Sequence, residues 1–317
     1  MTDQNDFLSI FEELKQNSLD QIDPGEQHLT DELDHLILQH REAHFGGDFK
    51  VMVDFYEKES FGIHPEFEIE RIEYLQKVEK ELGQDLAKTL LSDLEKDQVT
   101  RSLEAYAHLK EVYQEGNKST LAERLLSDLF LIEDGEGKEE IAHVLEQKEK
   151  MVGGLIRMID SAQAFDPLFP GYGYAPYFAI ICLGKMGDPK AIKPLFSLLE
   201  KEFVFDEYVV TEALHQIGES AKQFLLDMTQ TRPVTKENAD AAFALCAFEA
   251  ESAICKNAFE QLKSEEAQTH PLFVAYLLCN LDNAEAAPLK EEVLAWANDS
   301  ETPKKLQKEV LEITSKW

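Results

Sequence analysis

The chain has 317 residues, 44% of them hydrophobic and 9% aromatic, which is enough to bury a core and argues against disorder. Its 62 acidic and 31 basic residues leave a net charge of −31. A field of that sign repels nucleic acid and anionic membrane surfaces, so the expected partners are basic or neutral proteins, metal ions or small molecules.

The acidity is uneven: residues 1–150 hold 37 acidic and 16 basic side chains, residues 151–317 hold 25 and 15. The opening MTDQNDFLSIFEEL has no basic n-region followed by an apolar run, so no secretory leader is expected. No run of about 18 apolar residues predicts a membrane span. Cys182, Cys246, Cys255 and Cys279 lie among apolar helical residues with no CxxC spacing. They read as reduced, buried, small hydrophobes of a cytoplasmic protein.

Helical periodicity dominates from the start. Phe7, Ile10, Phe11 and Leu14 keep the i, i+3, i+4, i+7 spacing of an amphipathic helix. Thr30 and Asp31 can cap a second helix with the stripe Leu33, Leu36, Ile37. Phe45-Gly46-Gly47 stops it, and Asp48 can cap a third helix carrying Phe49, Met52, Val53 and Tyr56. A long helix with Phe67, Ile72, Leu75, Val78 and Leu82 follows and ends at Gly83. Further helices are predicted over about 85–94, 98–114, 119–132 and 138–161, with a turn at 133–137. Strand alternation is almost absent, so the fold class is all-α.

HREAH, residues 40–44, sits in the second of these helices. His40 and His44 are four residues apart and could share a metal ion. Two ligands do not complete a zinc site, and only His64 and Asp48 lie near in sequence to supply a third. The metalloprotease motif needs Glu directly after its first His, and Arg41 stands there. Leu33, Ile37, His40 and His44 follow i, i+4, i+7, i+11, so the two histidines continue the apolar stripe toward a helix end. The competing function is thus a metal-binding enzyme or sensor centred on His40 and His44. His28, His35 and His64, beside Asp31, Asp34, Glu66 and Glu68, read as a solvated acidic face. DGEGKEE (134–140) lacks the ligand spacing of a calcium loop.

Residues 166–178, DPLFPGYGYAPYF, hold three prolines, two glycines and five aromatics. They suit a rigid connector whose rings cover the first helix pair. The alternative is a partner-binding patch of Phe169, Tyr172, Tyr174 and Tyr177 on a stiff loop. No Gly-Lys-Ser/Thr follows, so it is not a phosphate loop. The chain has no Gly-x-Ser-x-Gly, and Cys246 and Cys255 sit amid apolar residues. No catalytic constellation is evident, no enzyme activity is expected, and no cofactor is called for.

The C-terminal half repeats. CLGKMGDPKAIKPLFSLL (182–199), ALHQIGESAKQFLLDM (213–228), ALCAFEAESAICKNAFEQL (244–262) and LLCNLDNAEAAPLKEEVL (277–294) each run helix, polar turn, helix. Gly187 and Gly218 are 31 residues apart, and Ala191, Ala221, Ala253 and Ala286 step by 30, 32 and 33. Such a period predicts stacked helix pairs. Leu183, Gly184, Gly187, Asp188, Ala191 and Leu195 resemble a HEAT-type repeat of the short bacterial sort; Leu214, Gly218, Ala221 and Leu225 resemble it more loosely. The whole chain is also similar to chlamydial-type bacterial proteins, a likeness that implies no activity. The HEAT resemblance implies an α-solenoid that binds other proteins. Some of its relatives are phycobilin lyases, but no bilin-binding motif is present here. The expected organisation is an irregular helical region over 1–147 and a HEAT-like solenoid over 148–317. Leu306, Val310 and Ile313 form the stripe of its capping helix, which has Lys304, Lys305 and Lys308 on its polar face. The expected function is a non-enzymatic scaffold or adaptor that binds a protein through an acidic or concave surface.

Overall fold

The computed structural model describes residues 32–58, 61–114, 118–132, 135–201, 205–206, 208–248, 251–282 and 289–316. The predicted helix over Phe7–Leu14, the capping residues Thr30 and Asp31, and Ala286 lie outside the described residues. The fold is all-α, and no strand occurs among the described residues. No helix among them is long and apolar enough to cross a membrane.

The described chain forms two compact units. The first holds residues up to 58 and Ile63–Val99; the second holds 61–62 and the residues from Thr100 onward. The expected boundary at 147/148 falls within the second unit.

The first unit contains α1 (Glu32–His44), α2 (Phe49–Tyr56), α3 (Ile69–Leu82), α4 (Leu86–Leu90) and the start of α5 (Asp93–Val112). The punctuation predicted from sequence sets its ends. Gly46 and Gly47 take positive φ after α1, and the Asp48 carboxylate accepts from the Lys50 N–H at 2.8 Å to open α2. Gly83 ends α3 in the left-handed conformation. Ile37, Leu38, Met52, Ile72, Leu75 and Leu86 are fully buried, each stabilising the fold by roughly 1.5–3 kcal/mol.

The second unit continues with α6 (Leu121–Asp128), α7 (Lys138–Glu146), α8 (Glu149–Asp160), α9 (Ala175–Met186), α10 (Ile192–Leu198), α11 (Tyr208–Ile217) and α12 (Glu219–Thr229). It ends with α13 (Lys236–Leu245), α14 (Ser252–Leu262), α15 (Glu265–Gln268), α16 (Pro271–Leu281), α17 (Lys290–Ala297) and α18 (Lys304–Thr314). The single helix expected over 138–161 is broken between α7 and α8, where Lys148 takes φ 48°. Residues 146–150 bury no side chain, so no packing opposes the break.

Helices pair in sequence order: α8 with α9, α10 with α11, α12 with α13, and α14 with α16. The second helix of each pair also packs on the second helix of the next, α9 on α11, α11 on α13, and α13 on α16. Gly184 shows how close these crossings are. A Cβ there would sit 2.7 Å from the Ala213 Cα, so only glycine lets α9 and α11 approach this far. Gly187 ends α9 at φ 67°, and Asp188 caps the following turn by accepting from the Lys190 N–H at 2.9 Å. Leu183, Ala191, Leu195, Leu214, Ala221 and Leu225 are all fully buried, which is what the repeat pattern needs. Ala253 departs from it. The third repeat has no stop glycine, α14 starts at Ser252, and Ala253 is left exposed on its first turn while Ile254 and Cys255 turn inward.

Candidate functional site

In the first unit, HREAH is the end of α1, and the stripe reading holds for His40, which is 4% exposed. Its ring lies 5.1 Å from His44, 4.6 Å from His64 and 5.2 Å from Phe67, centroid to centroid. Three imidazoles therefore do meet. They meet as packed rings: His64 stacks on Phe67 at 4.8 Å, and its Nδ1 pairs with Glu66 at 2.8 Å. Burial, reinforced by the neighbouring His44 and His64, pushes the His40 pKa down to about 2, so this ring stays neutral. Among the described residues, no group of three or more His, Cys, Asp or Glu has the arrangement to hold a metal ion.

Arg41, between the histidines, is a buried charge at 1% exposure. Its guanidinium donates to Glu42 at 2.6 Å, to Glu79 at 2.6 Å and to Asp85 at 3.0 Å, and stacks 4.4 Å above the Phe49 ring. Burial opposes this charge, but the Glu79 and Glu42 carboxylates outweigh it and raise the Arg41 pKa above its ordinary value. A cleft of about 520 Å³ opens beside it, lined by Asp48, Gln76, Glu79, Lys80 and Asp85 among others. Glu79 and Asp85 there are committed to Arg41 and Asp48 to the Lys50 N–H, which explains the cleft as the mouth of a buried ion cluster. The expected solvated acidic face is corrected in part. Asp34 is fully buried and accepts two bonds from Arg71, both at 2.7 Å, because a carboxylate on the inner side of α1 must be paired to be buried.

In the second unit, the aromatic segment 166–178 packs inward. Phe169 is buried, and Tyr172, Tyr174 and Tyr177 are half-buried. Tyr174 meets Phe61 at 4.9 Å, Tyr177 meets Phe205 at 5.4 Å, and Ser102 donates to the Leu168 carbonyl at 2.6 Å. Burial pushes the Tyr172 pKa up to about 12. Its ring lies so close to Gly62 that a Cβ there would be 2.4 Å away.

Accessible aromatic surface lies elsewhere. Tyr208 of α11 is 63% exposed and its ring is 5.8 Å from Phe243 of α13, which is 5.1 Å from Tyr276 of α16. One ring from each of three successive helix pairs builds a ladder. Leu272, one turn before Tyr276, is also exposed. Beyond it, α16 and α18 border a cleft of about 360 Å³ lined by Ala275, Cys279, Asp282, Glu309, Glu312 and Lys316 among others. The sequence held the signal: Tyr208, Phe243 and Tyr276 step by 35 and 33, close to the helix-pair period. The cysteines divide. Cys182 and Cys255 are buried as expected, whereas Cys246 and Cys279 are exposed, because one follows the end of α13 and the other faces outward on α16.

The structure thus defines a class, an all-α protein with helix pairs packed in sequence order. No protein-family model, curated protein or solved structure matches the chain.

Proposed function

We propose that this protein is a non-enzymatic, cytoplasmic interaction scaffold whose second unit is a HEAT-like solenoid that binds a protein partner. The observation that carries this reading is the Tyr208–Phe243–Tyr276 ladder across α11, α13 and α16. Aromatic rings give contact area at low entropic cost, and Tyr is enriched where interfaces concentrate their energy. Glu309 and Glu312 in the neighbouring cleft and the net charge of −31 favour a segment that is both basic and apolar. The partner's identity is therefore read as chemistry: an extended or helical peptide with Lys or Arg flanking large apolar side chains.

Peptide display against the full chain tests it. Enriched peptides are expected to be basic and apolar, to bind more weakly as salt rises, and to lose about tenfold in affinity in the triple variant Tyr208→Ala, Phe243→Ala, Tyr276→Ala. Enrichment without basic residues, or affinity untouched by the triple variant, overturns the reading.

A further inference from the structure

We propose that Cys246 and Cys279 form an oxidisable dithiol, a modification site on the second unit that closes to a disulfide in reaction with a hydroperoxide. The geometry comes from the α13–α16 contact. Asn280 Nδ2 donates to the Ala242 carbonyl at 2.9 Å, and Phe243 meets Tyr276 at 5.1 Å. These contacts fix the two helices side by side. Cys246 follows Phe243 by three residues, Cys279 follows Tyr276 by three, and both are exposed. The Cys246 S–H reaches both the Ala242 carbonyl, at 3.3 Å, and the Cys279 sulfur. The register of α13 against α16 thus sets the two exposed thiols as neighbours, which is the arrangement a disulfide between adjacent helices needs.

The two sulfurs are not equivalent. The hydrogen bond from Cys246 holds the Cys279 pKa down to about 6, against burial and the nearby Asp282 charge. The same bond, with burial, raises the Cys246 pKa. Lys316 pairs with Asp282 at 2.6 Å and moderates the opposing charge. Cys279 also lines the 360 Å³ cleft, which gives a small oxidant access. Cys279 is thus the attacking thiolate and Cys246 the resolving thiol. In the first step the Cys279 thiolate bonds to one oxygen of hydrogen peroxide, the O–O bond breaks, and the departing hydroxide takes a proton from solvent and leaves as water (an organic hydroperoxide would release an alcohol instead). In the second step the Cys246 thiol attacks the sulfenic sulfur, the S–S bond forms as the S–O bond breaks, and the departing hydroxide takes the Cys246 proton and leaves as a second water. Two thiols are oxidised and one hydroperoxide is reduced. Cys182 and Cys255 are buried and take no part. The disulfide would pin α13 to α16 beside the aromatic ladder, but the inference does not rest on partner binding.

The test uses the native full chain, hydrogen peroxide and iodoacetamide. After peroxide, intact mass spectrometry is expected to show a loss of about 2 Da and peptides carrying Cys246 and Cys279 linked, reversed by dithiothreitol. Both thiols still alkylated after peroxide, or a sulfinic acid at Cys279 without a linked peptide, overturns the proposal. A second arm measures iodoacetamide alkylation of Cys279 in unoxidised protein at pH 7. Cys246→Ala is expected to slow it about tenfold, because the thiolate loses its donor, and an unchanged rate overturns the assignment of Cys279 as the attacking thiolate. The first arm uses no variant, so a folding defect in Cys246→Ala leaves it decisive.

Discussion

The two units bury polar groups in opposite ways. The first places formal charge inside: Arg41 is surrounded by Glu42, Glu79 and Asp85, and Asp34 is held by Arg71. The second relies largely on neutral groups that satisfy backbone. The Asn238 side-chain amide donates to the carbonyls of Met228 at 2.9 Å, Thr231 at 3.0 Å and Thr229 at 3.2 Å, and Asn280 does the same for Ala242. A charge cluster suits an irregular set of short helices, where side chains from different helices must converge on one point. Neutral amides suit stacked pairs, where each new turn leaves helix-end carbonyls to be satisfied. The difference predicts that the first unit is the more sensitive to charge deletion and pH, and the second to volume and backbone satisfaction.

The largest expected effect is Arg41→Ala. It leaves three carboxylates facing one another without their cation and opens space over Phe49. A loss of about 3 kcal/mol in urea unfolding is expected, with hydrogen-exchange protection falling first in α1–α4. A loss below about 1 kcal/mol would break the contrast at its centre.

The pH response comes next. His40 has its pKa lowered in the folded state to about 2 and an ordinary value near 6.5 when unfolded. The unfolded chain therefore binds this proton first. The stability that follows is fully present above about pH 6.5 and is lost as pH falls below it, by about 1.4 kcal/mol per pH unit until the folded pKa is reached. Unfolding measured at pH 7.0 and 5.0 should show His40→Gln losing about 2 kcal/mol less than the unaltered protein over that interval. Equal losses would show that the ring takes up a proton in place.

In the second unit, Gly184→Val drives a side chain into the α11 backbone. About 2 kcal/mol of destabilisation is expected by thermal unfolding, of a size with Asn238→Leu, which takes a buried donor from three carbonyls. The smallest effect should be Tyr208→Ala. That exposed ring carries binding in the proposed function and is expected to cost under about 0.5 kcal/mol of stability. A larger cost would make the ladder a packing element.

Much of this architecture is written in local sequence. Phe45-Gly46-Gly47, Asp48, Gly83, Gly187 and Asp188 ended or began helices where their conformational preferences place them. The 3.6-residue stripe carried His40 inward. It did not reveal that Asp34 is buried, because its partner Arg71 is 37 residues away. Nor did it separate the two exposed cysteines from the two buried ones, since apolar neighbours in sequence do not fix which side of a helix faces solvent. The aromatic-rich 166–178 drew attention by composition, yet its rings meet Phe61 and Phe205 in the packed unit.

The sequence by itself determined that this chain is helical, acidic and repetitive after residue 182, because capping, periodicity and net charge are local or additive properties. Tertiary structure alone decided which charges converge on Arg41, that His64 joins His40 and His44, and that Tyr208, Phe243 and Tyr276 line up with Cys246 beside Cys279. Those meetings depend on how helices far apart in the chain cross, and the angle and depth of a crossing are set by the volumes of all the side chains between them.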